Sequence, residues 1–354
     1  MNKEQIIQNF NPNDVGQVNA GVFGLPFDPE DCEVILIPVP WEVTVSYSSG
    51  TADGPKAIAE ASYQVDLYDP VVKDAWKLGI WMCEENPMIR ERSDFLRERA
   101  EIYINALANG ESVETNRNLQ AISRQVHEGC FWLNVEVKRA VNHFLEKNKI
   151  VGLIGGDHST PLGMMEALAD KFGEFGILQI DAHADLREAF EGFEFSHASI
   201  MYNALKIKKI EKLVQVGIRD YCEEEYDLIK NSNGRVMTFF DRDIKQRMYG
   251  GETWDKICDK IVSTLPQKIY LSFDIDGLDP KLCPHTGTPV AGGFEVEQIL
   301  FLLEKVVKSG KQIIAFDLNE VTPGPEGDEW DANVAARLLY RICNMVAASN
   351  GRKP

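Results

Sequence analysis

No run of apolar residues in this sequence approaches the length of a membrane span, which takes about 20 residues as a helix. The opening residues, Met1-Asn-Lys-Glu-Gln-Ile-Ile7, lack the apolar core of a secretory leader. Basic residues are in short supply: 37 Lys and Arg stand against 55 Asp and Glu, a formal net charge of −18. That balance argues against nucleic acid and anionic membrane as partners and suits a small cationic substrate. Cysteine is sparse and unpatterned. Seven residues (Cys32, Cys83, Cys130, Cys222, Cys258, Cys283 and Cys343) are scattered with no C-x-x-C spacing. This excludes a zinc ribbon and a disulfide framework, and the expectation is reduced thiols in a cytoplasmic protein. Repeats and low-complexity tracts are absent as well.

What remains is an ordinary globular composition, 44% hydrophobic and 26% charged over 354 residues, enough to fill the core of one large α/β domain. The reading is a single domain, 1–354. Residues 1–31 give no periodic signal and are expected to be an arm on the surface. Glu33 to Val39 reads as a strand, then a Ser/Gly-rich loop leads to Pro55, which opens a helix over Lys56 to Tyr68. Residues 70–148 read as a helical elaboration. Ser93 to Leu107 is helical, 109–118 is a polar break, and apolar residues recur at helical spacing from Leu119 to Lys147. His127 and His143 lie in that last helix and are set aside as packing or surface residues.

From Ile150 onward the pattern alternates. Strands are predicted at Ile150 to Ile154, Phe175 to Ile180, Leu213 to Ile218, Arg235 to Phe240, Lys268 to Phe273 and Gln312 to Phe316. Helices are predicted at Pro161 to Phe172, from Cys222, and at Thr253 to Leu265, Glu295 to Lys308 and Asn333 to Ala348. Short, continuously apolar strands between helices predict a mainly parallel sheet covered on both faces. Sites in such sheets lie beyond the carboxyl ends of the strands.

Those ends carry the chemistry. The strand to Ile180 runs into Asp181-Ala-His183-Ala-Asp185. In extended chain, residues spaced by two point the same way, so two carboxylates and an imidazole converge. The bland alternative is a solvated strand end that caps the next helix. The strand to Ile154 runs into Gly155-Gly156-Asp157-His158-Ser159, where His158 is a ligand candidate and the Asp and Ser can cap a helix. The strand to Phe273 runs into Asp274-Ile-Asp276-Gly. Two His and four Asp thus gather at three strand ends. Four carboxylates repel, and two divalent cations would offset them. Mixed imidazole and carboxylate donors suit manganese, with iron, cobalt, nickel and zinc as competitors. Two such ions about 3.5–4 Å apart would share a water and lower its pKa.

Three segments, Gly-Gly-Asp-His-Ser at 155–159, Asp-Ala-His-Ala-Asp at 181–185 and Ser-Phe-Asp-Ile-Asp-Gly-Leu-Asp-Pro at 272–280, resemble the three signatures of the arginase/agmatinase (ureohydrolase) family. The resemblance runs from about Val34 to the C-terminus and is loosest over 70–148. It implies an α/β/α sandwich around an eight-stranded parallel sheet, two Mn2+ per chain and a homo-oligomer, a trimer or hexamer. By motif, one ion would take His158, Asp181, Asp185 and Asp274, and the other Asp181, His183, Asp274 and Asp276. Glu320 matches the family's guanidinium-binding Glu, and His197 its proton-shuttling His. Asp185 is placed to relay a proton to the leaving amine. The bland readings are a helix-start carboxylate for Glu320 and a loop imidazole for His197.

The segment Asp185-Leu-Arg-Glu-Ala-Phe-Glu-Gly-Phe-Glu-Phe-Ser-His197 looks like the agmatinase branch and lacks the arginase type of amino-acid-binding segment. Val216-Gly-Ile-Arg219 and Gly287 to Phe294 look like that branch too. Agmatine is therefore the expected substrate. Guanidinobutyrate, guanidine, arginine and formimidoylglutamate are the alternatives, and a non-catalytic relative is weighed below them. Deacetylases, which resemble this fold, use one zinc and lack two full His/Asp sets. Glu188, Glu191 and Glu194 offer charge for a distal ammonium, or form a solvated loop. Trp41-Glu42 and Lys56 depart from the family pattern at what is expected to be the pocket rim.

Overall fold

Eight short strands line up in parallel to form the centre of the molecule. They are β1 (Val34–Val39), β2 (Ile80–Met82), β3 (Ile150–Gly155), β4 (Phe175–Ile180), β5 (Ile210–Val216), β6 (Val236–Phe239), β7 (Lys268–Asp274) and β8 (Gln312–Asn319). The order across the sheet is β2-β1-β3-β8-β7-β4-β5-β6, and every neighbouring pair is parallel. The structure, a computed structural model, describes residues 3–16 and 20–354. The inner strands β1, β3 and β4 are buried along their whole length, which is why they read as unbroken apolar runs.

The helices in chain order are α1 (Lys3–Asn9), α2 (Gly54–Ala61), α3 (Pro87–Ala108), α4 (Arg117–Glu146), α5 (Leu162–Phe172), α6 (Ile200–Lys206), α7 (Glu223–Asn231), α8 (Asp241–Tyr249), α9 (Trp254–Thr264), α10 (Val296–Lys308) and α11 (Trp330–Ser349). They divide between the two faces. On one, Ile58, Ile257, Leu302 and Leu338 of α2, α9, α10 and α11 pack on Leu178, Ile180, Leu271 and Phe273. On the other, Leu96, Val126, Met164 and Met201 of α3 to α6 pack on Ile177, Leu213 and Tyr270. Burial of each such side chain contributes about 1.5–3 kcal/mol. This is the three-layer α/β/α arrangement expected from the sequence. No helix among the described residues is long and apolar enough to cross a membrane.

Several expectations need correction. Residues 3–9 form α1, and Ile6, Val22, Phe23, Leu25 and Phe27 are buried in the core, so this segment is not an arm on the surface; the rest of the 1–31 reading, at residues 1, 2 and 17–19, lies outside the described residues. The helix expected to reach Tyr68 ends as an α-helix at Ala61 and continues only as a short 3-10 turn to Gln64. There the Ser62 hydroxyl donates back to the Ala59 carbonyl and accepts from the Phe23 amide. The helix expected from Ser93 begins at Pro87, capped by the Asn86 side chain. The 70–148 region also contains β2, an edge strand of three residues, too short to show a period. α6 and α8 were not predicted either. α8 buries only Asp241 and Ile244 and so has no apolar stripe to read.

A Cβ built on Gly152 of β3 would come within 2.3 Å of the Phe316 ring on the neighbouring β8. Gly152→Ala is expected to destabilise the protein by about 1–3 kcal/mol, read as a lower denaturant midpoint with the slope unchanged.

Candidate metal centre and active site

Four adjacent central strands, β3, β8, β7 and β4, end side by side. Each delivers functional groups just past its carboxyl end: His158 after β3, Glu320 after β8, Asp274 and Asp276 at the end of β7, and Asp181, His183 and Asp185 after β4. All are buried except His183, which is partly exposed. They form two groups that share one member. His158, Asp181 and Asp185 can place one donor atom each within 4.8 Å of the others, and so can Asp181, His183 and Asp276.

The contacts show how the groups face each other. His158 Nδ1 lies 3.1 Å from Asp181 Oδ2, 3.1 Å from Asp185 Oδ2 and 3.3 Å from Asp274 Oδ2. His183 Nδ1 lies 2.9 Å from Asp276 Oδ2 and 3.7 Å from Asp181 Oδ1. The two oxygens of Asp181 thus point into different groups. The expectation of a simple extended chain is not met. Asp185 has a left-handed backbone, with φ of 55°, and Ile275–Gly277 is a 3-10 turn capped by Asp274. The side chains converge through turns, which cost local strain but aim each carboxylate separately.

The donor set fits divalent cations. His158 Nε2 lies 2.9 Å from Ser272 Oγ, which in turn donates to Asp317 Oδ1 at 3.1 Å. Ser272 therefore accepts the Nε2 proton, and Nδ1 is left facing three carboxylates with no hydrogen bond of its own. Burial works against an imidazolium at His158, but the carboxylates of Asp181, Asp185 and Asp274 outweigh it and raise the pKa well above the usual value. Burial, then the charges of Asp276 and Asp181, pushes Asp274 well above the ordinary carboxylate range. The site favours positive charge among its carboxylates, and a bound metal ion would supply it.

Behind these groups lies a layer of buried polar side chains that the sequence reading passed over. Gln179 donates to Asp181 Oδ2 at 2.8 Å. Gln215 donates to Gln179 Oε1 at 2.7 Å, and Thr238 to Gln215 Oε1 at 2.7 Å. This chain crosses β6, β5 and β4. On the other side Asp317 accepts from Ser272, the Phe273 amide and Tyr270. The signal was present: Gln179, Gln215, Ser272 and Asp317 are polar residues inside otherwise apolar strands. Arg219, in the Val-Gly-Ile-Arg segment, donates to the carbonyls of Asp276, Leu278 and Val290 at 2.6, 3.1 and 2.9 Å, joining three of the loops around the site.

A cavity of about 180 Å3 opens onto the cluster, and Glu320 and His197 line it with His158, His183, Asp185 and Asp274. Glu320 Oε1 accepts from the His158 amide at 2.7 Å. Its Oε2 faces Gly287, where a Cβ would approach to 3.2 Å. Burial first, then the charge of Asp157, holds the Glu320 pKa well above the usual range. Burial, reinforced by His183 and His158, pushes His197 down to about 3, so its imidazole is neutral near pH 7. Ser46, Arg187, Phe190, Asp220, Tyr221, Glu225 and Thr288 also line the cavity and were not predicted as site residues. Glu188, Glu191 and Glu194 do not line it; Glu194 pairs with Lys206 at 3.1 Å. The expected rim is also revised. Trp41 is fully buried and Lys56 is exposed outside the cavity. Glu42 accepts from the amides of Gly50 and Ala52 at 2.6 and 3.2 Å, so it pins the loop that carries Ser46.

The Arginase family model matches residues 32–344 of the chain. The chain belongs to the arginase family. An N(1)-aminopropylagmatine ureohydrolase from Synechocystis sp. is 31% identical over 91% of this chain and 92% of its own length. An agmatinase from Bacillus subtilis is 24% identical over 88% and 91%. The fold matches that of the agmatine ureohydrolase of Thermoplasma volcanium, with a TM-score of 0.67 at 20% identity over 98% of this chain and 99% of that one. This arginase-family ureohydrolase therefore carries its candidate ligands at four neighbouring strand ends of the family fold.

Gln179→Leu keeps the side-chain volume but removes the donor to Asp181. Divalent-metal affinity, titrated on metal-free protein, is expected to fall about 10–100-fold while the circular dichroism spectrum is unchanged.

Proposed function

We propose that this arginase-family ureohydrolase cleaves the guanidino group of agmatine, releasing urea and putrescine, with two manganese ions as cofactors. His158, Asp181, Asp185 and Asp274 would hold one ion, and Asp181, His183, Asp274 and Asp276 the other. The observation that carries the reading is the Glu320 carboxylate, which faces the His/Asp cluster across a cavity sized for a small molecule. When bound, the two ions supply Lewis acidity and a water acidic enough to ionise near neutral pH.

The protein's own groups do the rest. A guanidinium carbon is a poor electrophile, because its charge is spread over three nitrogens. It must be held still and oriented. Glu320 does this by accepting paired hydrogen bonds from two guanidinium nitrogens. The carboxylate is buried and costly to ionise alone, so a cationic substrate is the partner it lacks. Asp185 lies in both the ligand set and the cavity wall, where it can take a proton and pass it to the leaving amine. Neutral His197 lines the same cavity and can carry a second proton between solvent and the departing amine.

Asp220 and Tyr221 line the cavity, and the Asp220 carboxylate is largely exposed. They offer a distal ammonium an ion pair and an aromatic face. Tyr221 stacks on Tyr226 with ring centroids 6.2 Å apart, and Glu223 and Glu224 follow it in sequence. This acidic, aromatic strip favours a second reading, N(1)-aminopropylagmatine, whose longer cationic tail would run outward along it. The name of the Synechocystis relative supports that alternative.

Urea release by manganese-loaded protein, with agmatine, N(1)-aminopropylagmatine, guanidinobutyrate and arginine run side by side, separates the readings. One of the two amines is expected to lead. A lead by either carboxylate-bearing compound would refute the proposed tail site. Asp181→Asn is expected to lose bound metal and about 10⁴-fold or more of turnover. A variant that retains two ions would sink the shared-ligand assignment. Glu320→Gln is expected to keep its metal content while kcat/KM falls about 100-fold or more, and unchanged kinetics would remove Glu320 from substrate binding.

A further inference from the structure

The loop after β1 has no helix or strand of its own over residues 40–50, yet it brings Ser46 to the cavity. Val45 is 3% exposed and Tyr47 is 82% exposed. Within three residues the chain passes from core to solvent, so Ser46 sits where the cavity opens. The same loop touches the backbone of the candidate proton carrier: Thr44 Oγ1 accepts from the His197 amide at 3.4 Å. Buried carbonyls in an irregular segment need partners from elsewhere. At Val43 and Val45 that partner is Arg97 of α3. Its Nη1 donates to the Val45 carbonyl and, at 3.5 Å, to that of Val43, while its Nη2 donates to Ser49 Oγ at 3.2 Å. The planar guanidinium thus reaches both sides of Ser46, which the compact ammonium of a lysine could not do. Its Nε donates to Glu101 Oε1 at 3.1 Å.

A second loop at the cavity leans on the same helix. Phe190, which lines the cavity, exchanges backbone hydrogen bonds with Phe193 at 3.1 and 2.8 Å. The Phe193 ring lies 5.0 Å from that of Tyr103 on α3, and a Cβ on Gly192 would come within 2.6 Å of the Tyr103 hydroxyl. Burial raises the pKa of Glu191 in this loop, and the charge of Arg97 opposes the rise. Arg97 therefore acts on both loops, and Ser46 and Phe190 are the residues they deliver.

We propose that Arg97 is a positioning residue for the cavity: by holding residues 43–49 it fixes Ser46 and the His197 backbone, and so sets the affinity for substrate. The role rests on the guanidino reading of the cavity. Arg97→Met keeps the reach of the side chain and removes its donors. Hydrogen–deuterium exchange, which needs no substrate, is expected to speed up about tenfold or more at residues 43–49, with manganese affinity unchanged. KM for agmatine is expected to rise about tenfold or more, with a smaller loss of kcat. Arg97→Lys is expected to fall between, because an ammonium cannot serve both sides of the loop at once. Glu101→Gln removes the carboxylate charge beside Arg97 but leaves its loop contacts, and is expected to match the unmodified protein in both readouts. Unchanged loop exchange or unchanged KM in Arg97→Met overturns the proposal. Effects of Glu101→Gln as large as those of Arg97→Met overturn it too, since they would make Arg97 a support of α3 alone. Unmodified protein that releases no urea from any guanidino compound sinks the substrate reading, and loop exchange in Arg97→Met then decides the hold on residues 43–49 by itself.

Discussion

Everything at the carboxyl edge of the sheet answers to the repulsion among four buried carboxylates. Asp181, Asp185, Asp274 and Asp276 sit within contact of two imidazoles and beyond the reach of bulk water. Two like charges about 4 Å apart cost about 4 kcal/mol at an effective dielectric near 20. Several such pairs would consume a net folding stability of about 5–15 kcal/mol. Positive charge inside the cluster, or a proton on a carboxylate such as Asp274, relieves that repulsion. The carboxylates favour protons on His158 and His183 when no ion is bound, and divalent cations would take the place of those protons. The split orientation of Asp181, one oxygen toward each imidazole, follows from the need to serve two positive centres with one group.

Holding charged groups in such geometry is the task of the strands behind them. A parallel sheet buried on both faces has no room for polar side chains unless each is satisfied. Here Gln179, Gln215 and Thr238 hand hydrogen bonds across three strands to Asp181, while Asp317 gathers Ser272 and Tyr270 behind His158. The loops are tied down in the same manner. Arg219 spans three backbone carbonyls, and Glu42 caps the turn at Gly50. The cavity is thus braced by hydrogen bonds on its His/Asp side, while Phe190, Asp220 and Tyr221 of its wall belong to loops. Residues that could select among guanidino compounds lie in that wall, apart from the groups that would do the chemistry.

The candidate metal ligands could be read from sequence because their residue types have no use in an apolar core, and because strand ends recur at predictable places. Glu320 and His197 entered through family resemblance, and the structure brings both to the same cavity. The polar layer was missed because one polar residue in an apolar run reads as noise without knowledge of its neighbours. The cavity wall was missed for another reason. Asp220 and Tyr221 stand 35 or more residues from the Asp181 segment, and only the pairing of β4 with β5 brings them together. Glu188, Glu191 and Glu194 are the acidic groups that the sequence offers for a distal ammonium, with a solvated loop as the alternative, and Glu194 is turned toward Lys206. Short elements such as β2 and α8 fell below the length at which periodicity speaks.

Helix α3 braces the loop beside the cavity from outside the sheet. Arg90 and Arg97, seven residues apart, lie on one flank of this helix. Arg90 donates to the Ala52 carbonyl at 2.7 Å and pairs with Asp53 at 2.8 Å. Arg97 donates to the Val45 carbonyl and to Ser49 Oγ at 3.2 Å. Both therefore grip the loop that brings Ser46 to the cavity. A helix of 22 residues is about 33 Å long and moves as a stiff rod. The rod holds the loop in place through its two arginines.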